Sequence, residues 1–183
     1  MIQRIIFGVG SLLLVAISWK SLREPRSHGF YRFFAWEAIL ALFVINMNFW
    51  FYRPFAWNQI IAWLLLLLCL IPLAFGVHSL RTRGKPAKQR EGDPSLLAFE
   101  KTTTLVTSGI YQYIRHPLYS SLFLLAWGIF FKSPSLLGTV LATTATFFLI
   151  ATAKADETEC THFFGLQYQE YMKKTKRFVP YLF

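Results

Sequence analysis

The tripeptide Arg115-His116-Pro117 is one of two places in this chain where residue types and spacing could do chemistry. Proline favours the first position of a helix and keeps the preceding residue out of helical geometry, so His116 is predicted to be the N-cap of an apolar helix. Free backbone amides at such a terminus favour an anion such as a carboxylate. Alternatively, Arg115 and His116 only anchor the helix among lipid headgroups, and residue chemistry alone leaves both interpretations open.

A second polar group follows the next apolar segment. Steps of four, three, four and three residues predict one stripe along a helix. Its members are Glu157, Thr161, Phe164, Tyr168 and Tyr171. A carboxylate on such a face could hold a ribose, and a ring could stack on a flat base. The same pattern is typical of an amphipathic helix that packs its rings onto a bundle and leaves Glu157 in solvent. Glu159 is expected to be exposed on another side.

Five apolar segments must position these two groups, and they predict an all-α, polytopic membrane helix bundle. The predicted transmembrane segments are residues 2–19, 33–52, 57–78, 117–131 and 135–153. The fourth segment has roughly 15 residues and covers only about 22 Å, against about 30 Å of hydrocarbon. It is therefore expected to form a helical hairpin with the fifth segment through Ser133-Pro134. A cytosolic C-terminal helix is expected to follow.

The composition also indicates a membrane protein. Of 183 residues, 55% are hydrophobic and 15% are charged, whereas a soluble domain has about 25% charged residues. The net charge of +10 would suggest nucleic acid in a soluble protein. Here the basic residues lie in loops, so membrane topology and anionic headgroups explain them better. Cys69 and Cys160 lie in different surroundings, which predicts neither a disulfide nor a metal cluster.

The basic residues also predict the orientation of the bundle. All but three of the 19 lysines and arginines fall within residues 20–32, 81–115 and 154–177, and the exceptions are Arg4, Arg53 and Lys132. Basic loops are retained in the cytoplasm. We therefore expect a multi-pass integral membrane protein with its N-terminus outside and its C-terminus in the cytoplasm.

Taken together, the two polar groups resemble the isoprenylcysteine carboxyl methyltransferase and phospholipid methyltransferase family of integral membrane enzymes. The first part of the resemblance is Gly-x-Tyr-x-x-x-Arg-His-Pro-x-Tyr, from Gly109 to Tyr119. The acidic pair Asp156-Glu157 follows after the hairpin. Phe-Gly-x-x-Tyr-x-x-Tyr, from Phe164 to Tyr171, and Pro180 complete the pattern. The resemblance covers roughly residues 94 to 180.

The chain departs from the family pattern at two places. Ser120-Ser121 replaces a glycine that the family commonly has, and Asp156 stands where a glutamate is usual. Neither departure removes the expectation of a cofactor site. The region before residue 94 does not indicate a branch of the family, so no particular methyl acceptor is assigned.

The resemblance implies methyl transfer from S-adenosyl-L-methionine to a lipid or lipid-like acceptor at the cytosolic membrane face. Carried over residue by residue, the implied cofactor contacts are His116, Glu157, Arg115, Tyr119 and Tyr168. No nucleophile–histidine–acid arrangement is evident, so no catalytic residue is assigned. Membrane lipids and the acceptor are the expected partners, and neither nucleic acid nor a metal is expected.

We expect residues 1–183 to form a single membrane domain with three parts. Residues 1–80 would supply three transmembrane helices, and residues 81–115 would form a cytosolic loop. Residues 116–183 would supply the hairpin and the C-terminal helix that form the cofactor site.

Two other function classes fit an apolar bundle. One is a non-enzymatic membrane module, such as an accessory subunit or a haem binder that uses His78 and His116. Haem needs two axial groups that face each other across the bundle interior, and both histidines fall at segment ends. The other class is a small transporter with Glu37 as a proton-coupling carboxylate. The chain lacks the repeated halves that a transporter should have.

Overall fold

A computed structural model describes residues 1–85 and 100–180. These residues form seven α-helices, in this order: α1 (Ile2–Leu22), α2 (His28–Asn46), α3 (Trp57–Leu68), α4 (Leu70–Arg83), α5 (Pro117–Phe130), α6 (Leu136–Phe164) and α7 (Leu166–Lys174). Short 3₁₀ helices occur at Met47–Phe49 and Gly109–Gln112. In the part of the chain that the structure describes, four helical stretches are long and apolar enough to cross a membrane, namely Ile2–Leu22, His28–Phe49, Trp57–Arg83 and Leu136–Phe164. The predicted all-α polytopic bundle is confirmed.

The fourth predicted segment is short, as the sequence indicates. Helix α5 has 14 residues and ends at a turn that leads directly into α6. The Ser135 side chain caps α6 by accepting a hydrogen bond from the Gly138 amide at 3.0 Å. α5 and α6 therefore form the expected hairpin.

The third predicted segment consists of two helices rather than one. α3 ends at Leu68 and α4 begins at Leu70. Pro72 accounts for the break, because it has no amide hydrogen for the carbonyl of Leu68 and its ring clashes with that carbonyl.

Small residues allow the central helices to pack closely. α2, α5 and α6 meet at four alanines that are at most 5% exposed: Ala38, Ala126, Ala142 and Ala145. In a membrane, where lipid is as apolar as a leucine side chain, close packing of small residues is a main source of helix association. Leu42, which is fully buried, fills the centre of this cluster.

Helix α1 lies at the edge of the bundle and is tied to α2 by polar side chains. The Ser11 hydroxyl donates a hydrogen bond to Glu37 Oε2 at 2.6 Å. Nearer the N-terminus, Gln3 Nε2 donates to the Val44 carbonyl at 3.2 Å. Glu37, which the transporter alternative uses as its proton-coupling carboxylate, thus links two helices.

Leu42→Ala should lower the free energy of unfolding by about 1–3 kcal/mol, because the surrounding helices lose packing contacts and a cavity remains. Leu136, at 84% exposure, faces the surroundings of the bundle, so Leu136→Ala should change it by less than about 0.5 kcal/mol. Reversible unfolding in mixed micelles measures both. Similar losses in the two variants would contradict the central position of Leu42.

Candidate functional site

A partly open cavity lies where α4 ends and α5 begins. Its wall combines the end of α4, the segment 100–111, the start of α5, the polar end of α6, and α7. The chemically active groups around it are Glu100, Tyr111, Arg115, His116, Tyr119, Asp156, Cys160, Tyr168 and Tyr171. Such a mixture of rings and a few convergent polar groups is typical of a small-molecule site.

The N-terminus of α5 faces this cavity. Pro117 occupies the first turn and His116 is the N-cap, as predicted, without a side-chain capping hydrogen bond. Pro117, Leu118 and Tyr119 all line the cavity. The positive end of the helix dipole is therefore directed at whatever occupies the cavity.

The C-terminal tail holds this helix start in place through the backbone. The Arg115 amide donates to the Lys176 carbonyl at 2.8 Å, and the His116 amide donates to the Arg177 carbonyl at 3.1 Å. The Lys176 amide returns a bond to the Tyr113 carbonyl at 3.1 Å. The Ser120 hydroxyl donates to the Phe178 carbonyl at 2.9 Å. Ser120, a departure from the family pattern, thus fastens the tail to α5.

Glu157 joins three positively charged groups. Arg115 Nε donates to Glu157 Oε1 at 2.9 Å. Arg177 contacts both carboxylate oxygens, at 3.0 Å for Nε to Oε1 and 2.6 Å for Nη2 to Oε2. His116 Nε2 lies 3.3 Å from Oε1. Arg115 also donates to the carbonyls of Met172 and Thr175. This set of contacts connects α5, α6, α7 and the tail.

His116 is buried between two carboxylates. Its Nδ1 lies 3.4 Å from Asp156 Oδ2, and its Nε2 faces Glu157. Only the doubly protonated ring can donate to both carboxylates. The ring stacks on Tyr119 with centroids 5.3 Å apart, and the Tyr119 hydroxyl donates to Asp156 Oδ2 at 3.3 Å. Asp156 therefore links the histidine to the tyrosine in the cavity wall.

The pKa values of these groups shift in opposite directions. The apolar part of α6 ends near Ala153, so Asp156 and Glu157 lie beyond its membrane-spanning part. Burial alone would raise the pKa of both carboxyls, but hydrogen bonds and nearby positive charges, those of His116 foremost, hold both pKa values well below their usual range. Burial alone would lower the pKa of His116, yet the two carboxylates raise it. These pKa shifts indicate that, at neutral pH, His116 is positively charged and is paired with the negatively charged Asp156 and Glu157.

The predicted stripe along one helix is broken. Gly165 has a φ of +61°, which glycine adopts readily, and it separates α6 from α7. Asp156, Cys160 and Phe164 line the cavity, whereas Glu157 and Thr161 line a neighbouring surface recess. Of the five predicted contacts, the structure therefore places Arg115, His116, Tyr119 and Tyr168 around the cavity. Glu157 does not line the cavity, but it contacts Arg115 and His116, which do.

Sequence reasoning missed two carboxylates near the cavity. Asp156 belongs to the acidic pair of the family pattern. The predicted helical stripe included the neighbouring Glu157 instead, so Asp156 was not among the expected contacts. Glu100 has no sequence signal, because it falls in the expected loop. It accepts a hydrogen bond from Arg32 Nη1 at 2.9 Å, which ties α2 to the cavity wall.

Glu159 is a structural carboxylate and not the exposed group that was expected. Its Oε1 accepts a hydrogen bond from the His28 amide at 2.8 Å, and its Oε2 contacts His28 Nδ1. It therefore holds the start of α2 against α6. Donor atoms of His28, Asp156 and Glu159 lie within 4.8 Å of one another, so the expectation that no metal binds stays a prediction.

The positions of His78 and His116 do not support the haem-binding alternative. His78 is exposed at the surface of α4. Both ring nitrogens of His116 face carboxylates. The two histidines do not present free nitrogens to each other across the bundle interior.

A segment that supplies most of the cavity wall matches known proteins. Residues 93–167 match the family model described as phospholipid methyltransferase. Over 83 residues the chain is 35% identical to protein-S-isoprenylcysteine O-methyltransferase from Mus musculus, and it has the same identity over the same length to the proteins of that name from Rattus norvegicus and Homo sapiens. The alignments cover 44% of this chain and 29% of each relative. No solved structure matches the chain.

Fold and site together define a multi-pass helical membrane protein with a polar, aromatic-lined cavity at one end of its bundle. Its matching segment is similar to the phospholipid methyltransferase family model and to the isoprenylcysteine O-methyltransferases, as the motifs predict.

His116 should make the stability of the site depend on pH. Its folded-state pKa is raised above the ordinary 6.5. Its stabilising charge is therefore fully present below about pH 6.5 and is lost as pH rises through the folded-state pKa. The difference in free energy of unfolding between wild type and His116→Asn should shrink from about pH 6 to about pH 9.

His78→Asn is the matched control, because His78 is exposed. Its difference from wild type should stay constant over the same range. Chemical denaturation in micelles at a series of pH values measures both differences. A His116→Asn difference that is also independent of pH would contradict the ion pair.

Proposed function

We propose that this protein is an S-adenosylmethionine-dependent methyltransferase that acts on a lipid or lipid-like acceptor. This proposal rests on the cavity at one end of the bundle, where Arg115, His116, Tyr119 and Tyr168 converge. Three of the four lie in the segment that matches the family model, and Tyr168 follows it directly. The description of that family and the names of the relatives both specify methyl transfer to lipid or lipidated molecules.

The residues around the cavity fit S-adenosylmethionine chemically. Aromatic faces and a carboxylate attract a sulfonium cation, and Tyr119, Tyr168 and Asp156 supply both. The open N-terminus of α5 would bind the carboxylate of the cofactor's amino-acid part. Arg115 and His116 add positive charge on the same side. The aromatic side chains of Tyr111 and Phe164 offer surfaces on which a flat base stacks.

When bound, S-adenosylmethionine supplies a methyl group activated by its sulfonium. The side chains around the cavity would bind and orient the cofactor and the acceptor and would exclude water. These are the main requirements of an in-line displacement. Glu157 is proposed as a positioning residue, because its carboxylate fixes Arg115 and His116 from behind the cavity wall. No side chain is assigned as a catalytic base.

The acceptor is proposed to reach the cavity from the membrane. The cavity lies at the ends of helices that cross the bilayer, and its wall includes apolar side chains such as Leu80, Leu105 and Val106. A lipid-borne nucleophile at headgroup depth would meet the cavity there. Both an amine headgroup and a prenylated cysteine carboxylate satisfy this chemistry.

Asp156→Asn should weaken S-adenosylmethionine binding by roughly tenfold or more, because loss of a charged hydrogen-bond acceptor costs about 1.5–3 kcal/mol. Glu170→Gln is the control, since its side chain is 61% exposed on α7, and its dissociation constant should change less than about twofold. Calorimetry in nanodiscs measures both values. Equal effects would remove Asp156 from the proposed site.

The transfer itself is tested with S-adenosylmethionine labelled in its methyl group and with total membrane lipids. Wild type should produce a labelled lipid that chromatography and mass spectrometry identify, and Asp156→Asn should produce less. A folded protein that does not bind the cofactor would refute the enzyme proposal. Binding without any labelled lipid would refute the proposed acceptor class.

We further propose that the cavity faces the cytoplasm and that the N-terminus lies outside. Support comes from the concentration of basic residues at the cavity end of the bundle and from the positive-inside rule. Arg53 lies at the opposite end, and Lys173 lies in α7. Both side chains are exposed.

Single-cysteine variants test this orientation in a background in which Cys69 and Cys160 are replaced by alanine. A membrane-impermeant maleimide added to intact cells should label Arg53→Cys and should leave Lys173→Cys unlabelled. After the cells are broken, both variants should react. Labelling of Lys173→Cys in intact cells would reverse the proposed topology.

A further inference from the structure

The bundle end opposite the cavity buries a lysine. Lys132 lies in the turn between α5 and α6 and is 1% exposed. Its Nζ donates to the Trp50 carbonyl at 3.2 Å and to Gln59 Oε1 at 3.1 Å. It also lies 3.4 Å from the ring centroid of Trp63 and 5.2 Å from that of Trp50. Carbonyl, amide and ring groups surround the ammonium, and all of them are neutral.

Within residues 1–85 and 100–180, no carboxylate forms an ion pair with Lys132. Its surroundings come from residues 44–63 and 128–138, and neither segment contains an aspartate or a glutamate. Burial lowers the pKa of Lys132 to about 8, so the ammonium form still predominates at neutral pH. A buried cation is costly unless an anion pairs with it.

A polar recess lies beside this lysine. It is open to the surroundings, and its lining includes Lys132, Arg53 and Ser133 together with Tyr52 and Trp57. Two cations thus share one recess that has no acidic residue in its lining. Arg53 has a φ of +46°, a strained value for a residue other than glycine, and such strain is often found where a ligand binds.

The recess lies at the depth of lipid headgroups. Trp57 lines it, Trp50 and Trp63 contact Lys132 beside it, and tryptophan is enriched where hydrocarbon meets water. The anion that is always present at this depth is the phosphate of a phospholipid. Basic pockets between helices bind such headgroups elsewhere.

We propose that this recess binds the phosphate of an anionic phospholipid in the leaflet opposite the cavity, with Arg53 and Lys132 supplying the positive charge. The bound lipid would balance Lys132 and stabilise the contact between the two turns at this end. Those turns are already joined, since Gln59 Nε2 donates to both the Phe49 and Lys132 carbonyls at 2.9 Å. The site is separate from the proposed methyl-transfer site and does not depend on it.

Native mass spectrometry of the detergent-purified full chain tests the proposal with equal amounts of phosphatidylglycerol and phosphatidylcholine. Wild type should retain phosphatidylglycerol roughly five- to tenfold better, given the contribution of a basic residue near a lipid surface. Arg53→Gln should lose most of this preference. Arg4→Gln is the matched control, because it removes a cation from α1 at the same end of the bundle, and it should keep the preference.

Lys132→Gln removes a buried group and can fail to fold, so Arg53→Gln carries the test. Wild type without a preference for phosphatidylglycerol would overturn the proposal. Equal losses in Arg53→Gln and Arg4→Gln would also overturn it, because general surface charge would then explain the binding.

A second arm separates a lipid headgroup from a free anion. Inorganic phosphate is added to wild type in phosphatidylcholine nanodiscs, and the melting temperature is compared with that in nanodiscs containing phosphatidylglycerol. Only phosphatidylglycerol should raise the melting temperature, and Arg53→Gln should abolish the rise. An equal rise with inorganic phosphate would identify a site for a soluble anion and overturn the lipid assignment.

Discussion

The carboxylate of Glu157 is the interaction on which the rest of the site depends. It receives Arg115 from the segment before α5, Arg177 from the tail, and His116 from the N-cap of α5. Without this negative charge, two guanidinium groups and an imidazolium would face one another at the end of the bundle. Because like charges in a poorly solvated place repel strongly, the tail would separate from α5, and the cavity would lose the wall that carries Arg115 and His116.

The two ends of the bundle treat charge in different ways. At the cavity end, cations and carboxylates of the chain pair with each other, as in Arg32 with Glu100 and Arg115 with Glu157. At the other end, Lys132 is surrounded by neutral acceptors and aromatic rings. The buried charges at the first end are therefore paired within the protein, which suits the proposed binding of a charged cofactor. At the second end, the phosphate of the proposed bound phospholipid supplies the balancing negative charge.

Helix breaks in this bundle serve the placement of chemical groups. Pro117 starts α5 beside the cavity, so the dipole of that helix is directed inward. Gly165 ends α6 and allows α7 to return Tyr168 and Tyr171 to the same cavity, where the Tyr171 hydroxyl donates to the Tyr111 carbonyl at 2.6 Å. Close packing of small residues at Ala38, Ala126 and Ala142 keeps the spanning helices in fixed positions. The cavity is thus supported by rigid elements on most sides.

The sequence by itself determined the spanning helices, the short hairpin and the N-cap at His116, because apolar length and proline geometry are local properties. Four of the residues around the cavity were named by the family resemblance and not by local geometry. The sequence could not determine which carboxylate faces the cavity. Neighbouring residues on a helix point about 100° apart, and the break at Gly165 removes the phase that a continuous stripe would have set. Two features were decided only by tertiary structure, since both depend on how distant helix ends meet. They are the pairing of Arg115 with Glu157, 42 residues apart, and the separation of Lys132 from the carboxylates of residues 1–85 and 100–180.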